Sequence, residues 1–355
     1  MSEPTMIISP PPSAPRVPFD LLAQQPTYLG RPYFAPIGVR VSNQEVLAHL
    51  RGGVLPEAAL AYMATSGSMH RYLDYEEVPI VATAAHAVVQ ALELNGIARD
   101  ELDAVIYGGM FRDNLEPSTA AFVALELEMP RIKTLDVTSA CSGMAHAVEV
   151  ASGWLAANPG LRTIALTSVE TPYRYLDWHI ESQEDLSSKG AGLTIGAGVS
   201  ALIVSRARPS TGIRLRQFVG YDDASVAPIC KLPIGGVFTS QSHHLMRPAV
   251  ESIRQVKKDA AKWVRPSMWV LPHQPFGHVN RFFTKGLRLD DDRIVVTHAL
   301  YGNTVASAWV SAYHHLMSSR SGELAHGDPV LIKTMAGGFS SLAIIGELVT
   351  PGGAS

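Results

Sequence analysis

Residues 133–157 read KTLDVTSACSGMAHAVEVASGWLAA. A short run, KTLDVTSA, gives way at Cys141 to small and apolar residues at helical spacing. That change of period predicts a strand running into a helix, with the cysteine at the junction. A thiol at a helix N-terminus meets unpaired backbone N–H groups and the positive end of the macrodipole, and both favour the thiolate. The neighbours Ser139, Ala140, Ser142 and Gly143 are small and leave the sulfur within reach of a substrate. Cys141 is therefore a candidate nucleophile; the competing reading is a buried structural cysteine. Cys230, inside VAPICKLPIGG, lacks the strand-to-helix setting and is assigned no role.

Working outward, the same alternation continues. Upstream, RPYFAPIGVRV predicts a first strand, NQEVLAHLRGG a short helix ended by glycine, and residues 78–97 a helix capped by Gly96. ELDAVIYGGM reads as a strand and Ser118 to Leu127 as a helix. Downstream, RTIALTSVE is a strand, and AGLTIGAGVSALIVS is a strand with its turn. In the second half PSMWVLPHQ is a strand, HVNRFFTKGL a helix closed by glycine, and DRIVVTHALYGN a strand and turn. TVASAWVSAYHHLMSS is a helix, and DPVLIKTMAGGFSS a strand entering a glycine-rich turn. Strands centred near Val105, Leu135 and Ala165 are matched in order by strands near Val270, Val295 and Leu331. A duplicated α/β fold follows, with a parallel sheet covered on both faces. Residues 1–30 are rich in proline and small polar residues and read as an extended or disordered arm. The two halves are assigned to 31–210, carrying the cysteine, and 211–355.

Composition narrows the classes. A chain of 355 residues exceeds the usual single core. Only 17% of residues are charged, which implies much buried surface, including a subunit interface. A net charge of -3 gives no reason to expect nucleic acid or a membrane as partner. Two cysteines make neither a disulfide framework nor a metal knuckle. The adjacent pairs His243–His244 and His314–His315 lie on predicted helices and point apart, so no metal is expected. No signal peptide is visible, and no apolar run reaches the roughly 20 residues of a membrane span, so a cytoplasmic location is expected.

Ligands in such sheets bind at the carboxyl ends of strands. There lie His273, at the end of PSMWVLPHQ, and Asn303, in ALYGNT. Alone, one is a core histidine and the other a turn residue; with Cys141 they form a set. In the MAGGFSS turn, Gly337 and Gly338 allow close approach of a backbone N–H to a ligand.

The motifs DVTSACSG, LPHQ, YGNT and AGGFSS, in this order and spacing, resemble those of β-ketoacyl-ACP synthase III and its thiolase-superfamily relatives from about residue 35 to the C-terminus. The resemblance implies a thiolase fold of duplicated βαβαβ halves in a five-layer α-β-α-β-α architecture. It also implies a homodimeric acyltransferase with acyl-CoA or acyl carrier protein thioesters as substrates and no cofactor. Carried over, Cys141 receives the acyl group, and His273 and Asn303 stabilise the enolate oxygen of the second thioester. The N–H groups of Cys141 and Gly338 form the oxyanion hole. The reaction so implied is a Claisen condensation in fatty acid, polyketide or other specialised metabolism.

The segment RDNLEPSTA, residues 112–120, resembles enzymes that join two fatty acyl thioesters head to head in bacterial olefin biosynthesis. In those enzymes the glutamate of LEPSTA enters the partner subunit's active site as a base, which places Glu116 in that role. The bland reading of Glu116 is a helix-start carboxylate before Pro117. SVETPY, with Glu170 and Thr171, resembles the same group. Three departures stand out. The tryptophan-bearing stretch that stacks on coenzyme A reads AALAYMATSGSMHRYL here, which favours a carrier-protein donor. GDGAG is replaced by GAGVS, residues 196–200. HQAN is replaced by HQPFGHVN, which alters the pocket floor through Pro275 and Phe276. Three readings compete: a papain-like protease, which fails because the cysteine is far from the N-terminus; acyl transfer to an oxygen or nitrogen acceptor; and a non-catalytic subunit of a heterodimer.

Overall fold

The computed structural model describes residues 25–52 and 56–352. Of the arm expected over residues 1–30, residues 1–24 lie outside the described residues. The strands along the chain are β1 (Tyr28–Leu29), β2 (Tyr33–Pro36), β3 (Val39–Ser42), β4 (His70–Leu73), β5 (Ala104–Tyr107), β6 (Lys133–Asp136) and β7 (Thr163–Glu170). They continue with β8 (Gly198–Ser205), β9 (Gly212–Asp222), β10 (Cys230–Lys231), β11 (Thr239–Ser240), β12 (Trp269–Pro272), β13 (Pro329–Ala336) and β14 (Ser340–Val349). The six helices that build the layers are α1 (Ile80–Asn95), α2 (Thr119–Glu126), α3 (Gly143–Ala157), α4 (Met246–Asp259), α5 (Gly277–Leu287) and α6 (Ala308–Ser319).

One sheet runs β12-β13-β14-β9-β1-β8-β7-β5-β6, with β2 also paired to β8. The short strand β1 joins the two ends of the fold: Tyr28 and Leu29 pair with β8 on one side and β9 on the other. Alternation along the strands divides the core. Ile106 and Leu166 face a central cluster that contains α3 and α6, whereas Val105 and Ala165 face α1 and α2. In the second half Ile332 and Ile344 face the centre, and Leu331 and Ile345 face α4 and α5. The result is the layered α-β-α-β-α arrangement. The central helices are apolar around much of their circumference, as burial between two sheet faces requires. In α6, Trp309, Val310, Ala312, Tyr313 and Leu316 are all buried.

The sheet is mixed, not parallel throughout as the sequence suggests. Parallel pairing holds for β5–β6, β5–β7 and β12–β13. The β13–β14 pair is antiparallel because a short turn connects it, and a parallel pair needs a crossover. Two long strands, β9 and β14, were not part of the sequence reading. The strand expected in DRIVVTHALYGN reduces to one bridge, Ile294 to Val270, before the chain turns into a short helix at His298–Tyr301. Helix α1 ends on Gly96 at φ +64°, as expected. Helix α5 does not end on its glycine: Gly286 lies inside it, and Arg288 takes the left-handed position at φ +59°.

These two caps test the backbone argument. Left-handed geometry costs an L-residue about 1–2 kcal/mol. Gly96→Ala should lower stability by about 1 kcal/mol, and Arg288→Gly should raise it by up to about 1 kcal/mol. Urea midpoints at unchanged slope would show both.

Candidate active site

Cys141 lies in a single 3-10 turn, Ala140–Ser142, between β6 and α3. The start of α3 is pressed against the end of β5. A Cβ on Gly143 would lie 2.1 Å from the Gly108 carbonyl oxygen, so only glycine permits this approach. Ala140 is held at φ +42°. The turn is tied to the start of β14 through Ser340: Ser142 Oγ donates to its carbonyl oxygen at 3.3 Å, and His146 Nε2 is 2.8 Å from its Oγ.

His273 follows β12, and its backbone N–H donates to the Lys333 carbonyl at 2.8 Å. Asn303 is anchored to the other half. Its N–H donates to the Thr194 carbonyl at 2.8 Å, and its own carbonyl accepts from Gly196 at 3.0 Å. The two side chains meet, His273 Nε2 lying 3.3 Å from Asn303 Oδ1. The same Oδ1 accepts from the Val305 N–H at 3.0 Å, which identifies it as the oxygen. His273 therefore presents Nε2–H, and its Nδ1 has no hydrogen-bond partner among the described residues.

Cys141, His273 and Asn303 all line one cavity of about 180 Å³. Its wall is mostly apolar, with Leu232, Phe238, Phe276 and Phe282 among its members. Pro275 and Phe276, the replaced residues of the HQAN segment, are both on the wall. Gly337 and Phe339 line the cavity on either side of Gly338, which stands at φ +74°. Strain gathers here. Of five non-glycine residues at positive φ among the described residues, Ala140, Val305 and Phe339 line this cavity. Each such residue costs on the order of 1–3 kcal/mol, which the surrounding packing must supply.

The electrostatics follow from the apolar wall. Burial pushes the Cys141 thiol up, and the nearby Cys230 and Glu170 push in the same direction. A hydrogen bond from the residue's own backbone favours the thiolate, and burial acts more strongly in the opposite direction. Burial lowers His273 from 6.5 to about 4, against a smaller upward effect from Asn303. His298 is likewise lowered to about 4, by burial first and then by Arg71. A neutral thiol thus faces a neutral imidazole and an amide. These groups can supply a nucleophile and two hydrogen-bond donors without a resident charge.

The other candidates fall in different places. Glu116 is exposed and does not line the cavity of its own chain. The nearby start of α2 is fixed by Asp136, whose carboxylate accepts from the N–H groups of Thr119 and Ala120 at 2.8 Å each. Glu170 is fully buried, and burial holds its carboxyl well above the usual range. One of its oxygens accepts from Met110 at 3.4 Å. Sequence reasoning missed Cys230, which lines the same cavity. It also gave no part to Gln274, whose only signal was its place beside His273 in LPHQ. Among the described residues no group of three or more His, Cys, Asp or Glu is placed to hold a metal, and no helix is long and apolar enough to cross a membrane.

Residues 265–348 match the family described as 3-oxoacyl-[acyl-carrier-protein (ACP)] synthase III C terminal. Over 284 residues the chain is 24% identical to β-ketoacyl-[acyl-carrier-protein] synthase III of Aquifex aeolicus, covering 79% of this chain and 87% of the relative. Its identity to the Sphingopyxis alaskensis enzyme of the same name is 28% over 282 residues, covering 78% and 86%. Among solved structures, the Aquifex aeolicus synthase III superposes with a TM-score of 0.76 at 21% identity, covering 90% of this chain and 99% of that one. Xanthomonas campestris OleA with bound lauric acid and lauroyl-CoA gives 0.78 at 17% identity, covering 92% and 99%. The structural likeness shows the fold.

The histidine shifts set a pH dependence of stability. The folded protein resists protonation of His273 and His298 down to about 4, whereas the unfolded chain takes up those protons near 6.5. Their contribution is therefore complete above pH 6.5 and is lost as pH falls towards 4, by on the order of 3 kcal/mol each. Urea midpoints across this range should fall steeply with acid, and His298→Leu should flatten the fall.

Proposed function

Since the chain is a ketosynthase III-like condensing acyltransferase of the thiolase superfamily, we propose that it joins two acyl thioesters through an acyl group carried on Cys141. The observation that carries this reading is the convergence of Cys141, His273 and Asn303, drawn from both halves, on one apolar cavity. In the first step the Cys141 sulfur adds to the carbonyl of an acyl thioester. The tetrahedral oxygen is held by the N–H groups of Cys141 and Gly338. The donor thiol leaves with the proton given up by Cys141, and the cysteine keeps the acyl group. In the second step an enolate of another thioester attacks that acyl carbon, and Cys141 is released as the β-keto product forms. The Nε2–H of His273, shared with Asn303 Oδ1, and the amide N–H of Asn303 stabilise the enolate oxygen. Each such donor contributes on the order of 3 kcal/mol.

The low affinity of His273 for protons suits this task, because a neutral imidazole donates one hydrogen bond without titrating near neutral pH. The apolar wall favours a hydrocarbon acyl group, in keeping with a fold neighbour that binds lauroyl-CoA. The missing tryptophan stretch favours a carrier-protein donor. The enolate forms either by loss of carbon dioxide from a malonyl thioester or by removal of an α-proton. Exposure of Glu116 on its own chain supports the second route through a homodimer, in which each subunit lends Glu116 to the other's cavity.

Incubation with an acyl thioester should add the acyl mass to the protein, and Cys141→Ala should abolish it. An adduct that survives the substitution refutes the nucleophile. Product from acyl thioester alone, lost in Glu116→Ala, marks proton abstraction. Product only with a malonyl donor, unchanged in Glu116→Ala, eliminates that route.

A further inference from the structure

The segment that carries Asn303 is barely paired to the strand that carries His273. Backbone pairing between them, among the described residues, is the Val270–Ile294 bridge, which includes the bond from the Val295 N–H to the Val270 carbonyl at 3.0 Å. Beyond that point the side chain of Gln274 takes over. Its Oε1 accepts from the N–H of Thr297 at 2.7 Å and from that of His298 at 2.9 Å. Its Nε2 donates to Thr297 Oγ1 at 3.0 Å. Thr297 Oγ1 lies in turn 2.8 Å from Ser311 Oγ on α6. Gln274, Thr297, His298 and Ser311 are all buried to 2% exposure or less.

From Thr297 the chain makes one helical turn. The N–H groups of Leu300 and Tyr301 donate to the Thr297 carbonyl, and that of Gly302 to the His298 carbonyl. Asn303 comes next and meets His273, the neighbour of Gln274. A closed ring results: His273, Gln274, the Thr297–His298 backbone, Asn303 and back to His273. The backbone of Asn303 is bonded to Thr194 and Gly196 of the other half, so it does not follow β12 on its own.

We infer that Gln274 is a positioning residue that sets the spacing of Asn303 and His273 by acting as a side-chain extension of β12. This rests on the reading that those two residues stabilise the enolate. Gln274 is not among the residues that line the cavity holding Cys141. Its loss should therefore spare acylation and damage condensation. A displacement of about 1 Å at such a pair costs on the order of 100-fold in rate.

The test compares Gln274→Ala, Gln274→Glu and His273→Ala. Acylation of Cys141 is read by intact mass, and condensation by turnover with both thioesters. Gln274→Ala is expected to acylate like wild type and to condense roughly 100-fold more slowly, with little change in KM for the acyl donor. Gln274→Glu keeps the oxygen that accepts from the N–H groups of Thr297 and His298, loses the Nε2 donor to Thr297, and should restore part of the turnover. Condensation by Gln274→Ala within threefold of wild type would overturn the inference, as would equal losses in both steps. If Gln274→Ala does not fold, a folded Gln274→Glu that condenses no better than His273→Ala overturns it as well. Failure of the underlying reading looks different: His273→Ala itself would then condense normally.

Discussion

A central core shared by two buried helices positions the site. Helix α3 begins just after Cys141, and α6 begins a few residues after Asn303; both sit in the central core. Strand ends alone would leave the nucleophile and the amide in different halves of the sheet. The shared core removes that freedom, because an interior at crystal-like density resists sliding. Hydroxyls reinforce the joint: Ser307 Oγ, at the approach to α6, lies 2.7 Å from Ser168 Oγ and 2.8 Å from Ser200 Oγ. The Gly108–Gly143 contact completes the placement by letting the first turn of α3 sit against β5.

One cause, removal from water, governs the protonation of the site. It raises the Cys141 thiol, raises the Glu170 carboxyl and lowers the His273 imidazole, so all three tend towards their neutral forms. Such a cavity suits a reaction in which charge develops on a substrate oxygen and is met by fixed dipoles that need not reorganise. The strained turns at Ala140, Val305 and Phe339 fit the same picture. Local backbone energy is raised in the turns that line the cavity, and the surrounding core sustains it.

Much of the architecture was legible because it rests on local chemistry. The periods of β5, α2, β7 and α1 are plain in the sequence, and Gly96 announced a helix end. Legibility failed where pairing depends on distant partners. The alternating run of β9 finds its neighbours in β1 and β14, far away in the chain. VVT at 295–297 has strand-like residues, yet its ladder is replaced after one bridge by the amide of Gln274. Helix α5 runs past its own glycine because Leu287 is buried against the core and the chain must continue to Leu289.

By itself the sequence determined the residue types of the site, the strand-to-helix setting of Cys141 and the order of the α/β units, because each depends on spacing within a few residues. Only the tertiary structure decided that Cys141, His273 and Asn303 share a cavity, that Cys230 joins its wall, and that burial pushes the thiol up. Those outcomes depend on which distant surfaces exclude water together, and no local pattern encodes that.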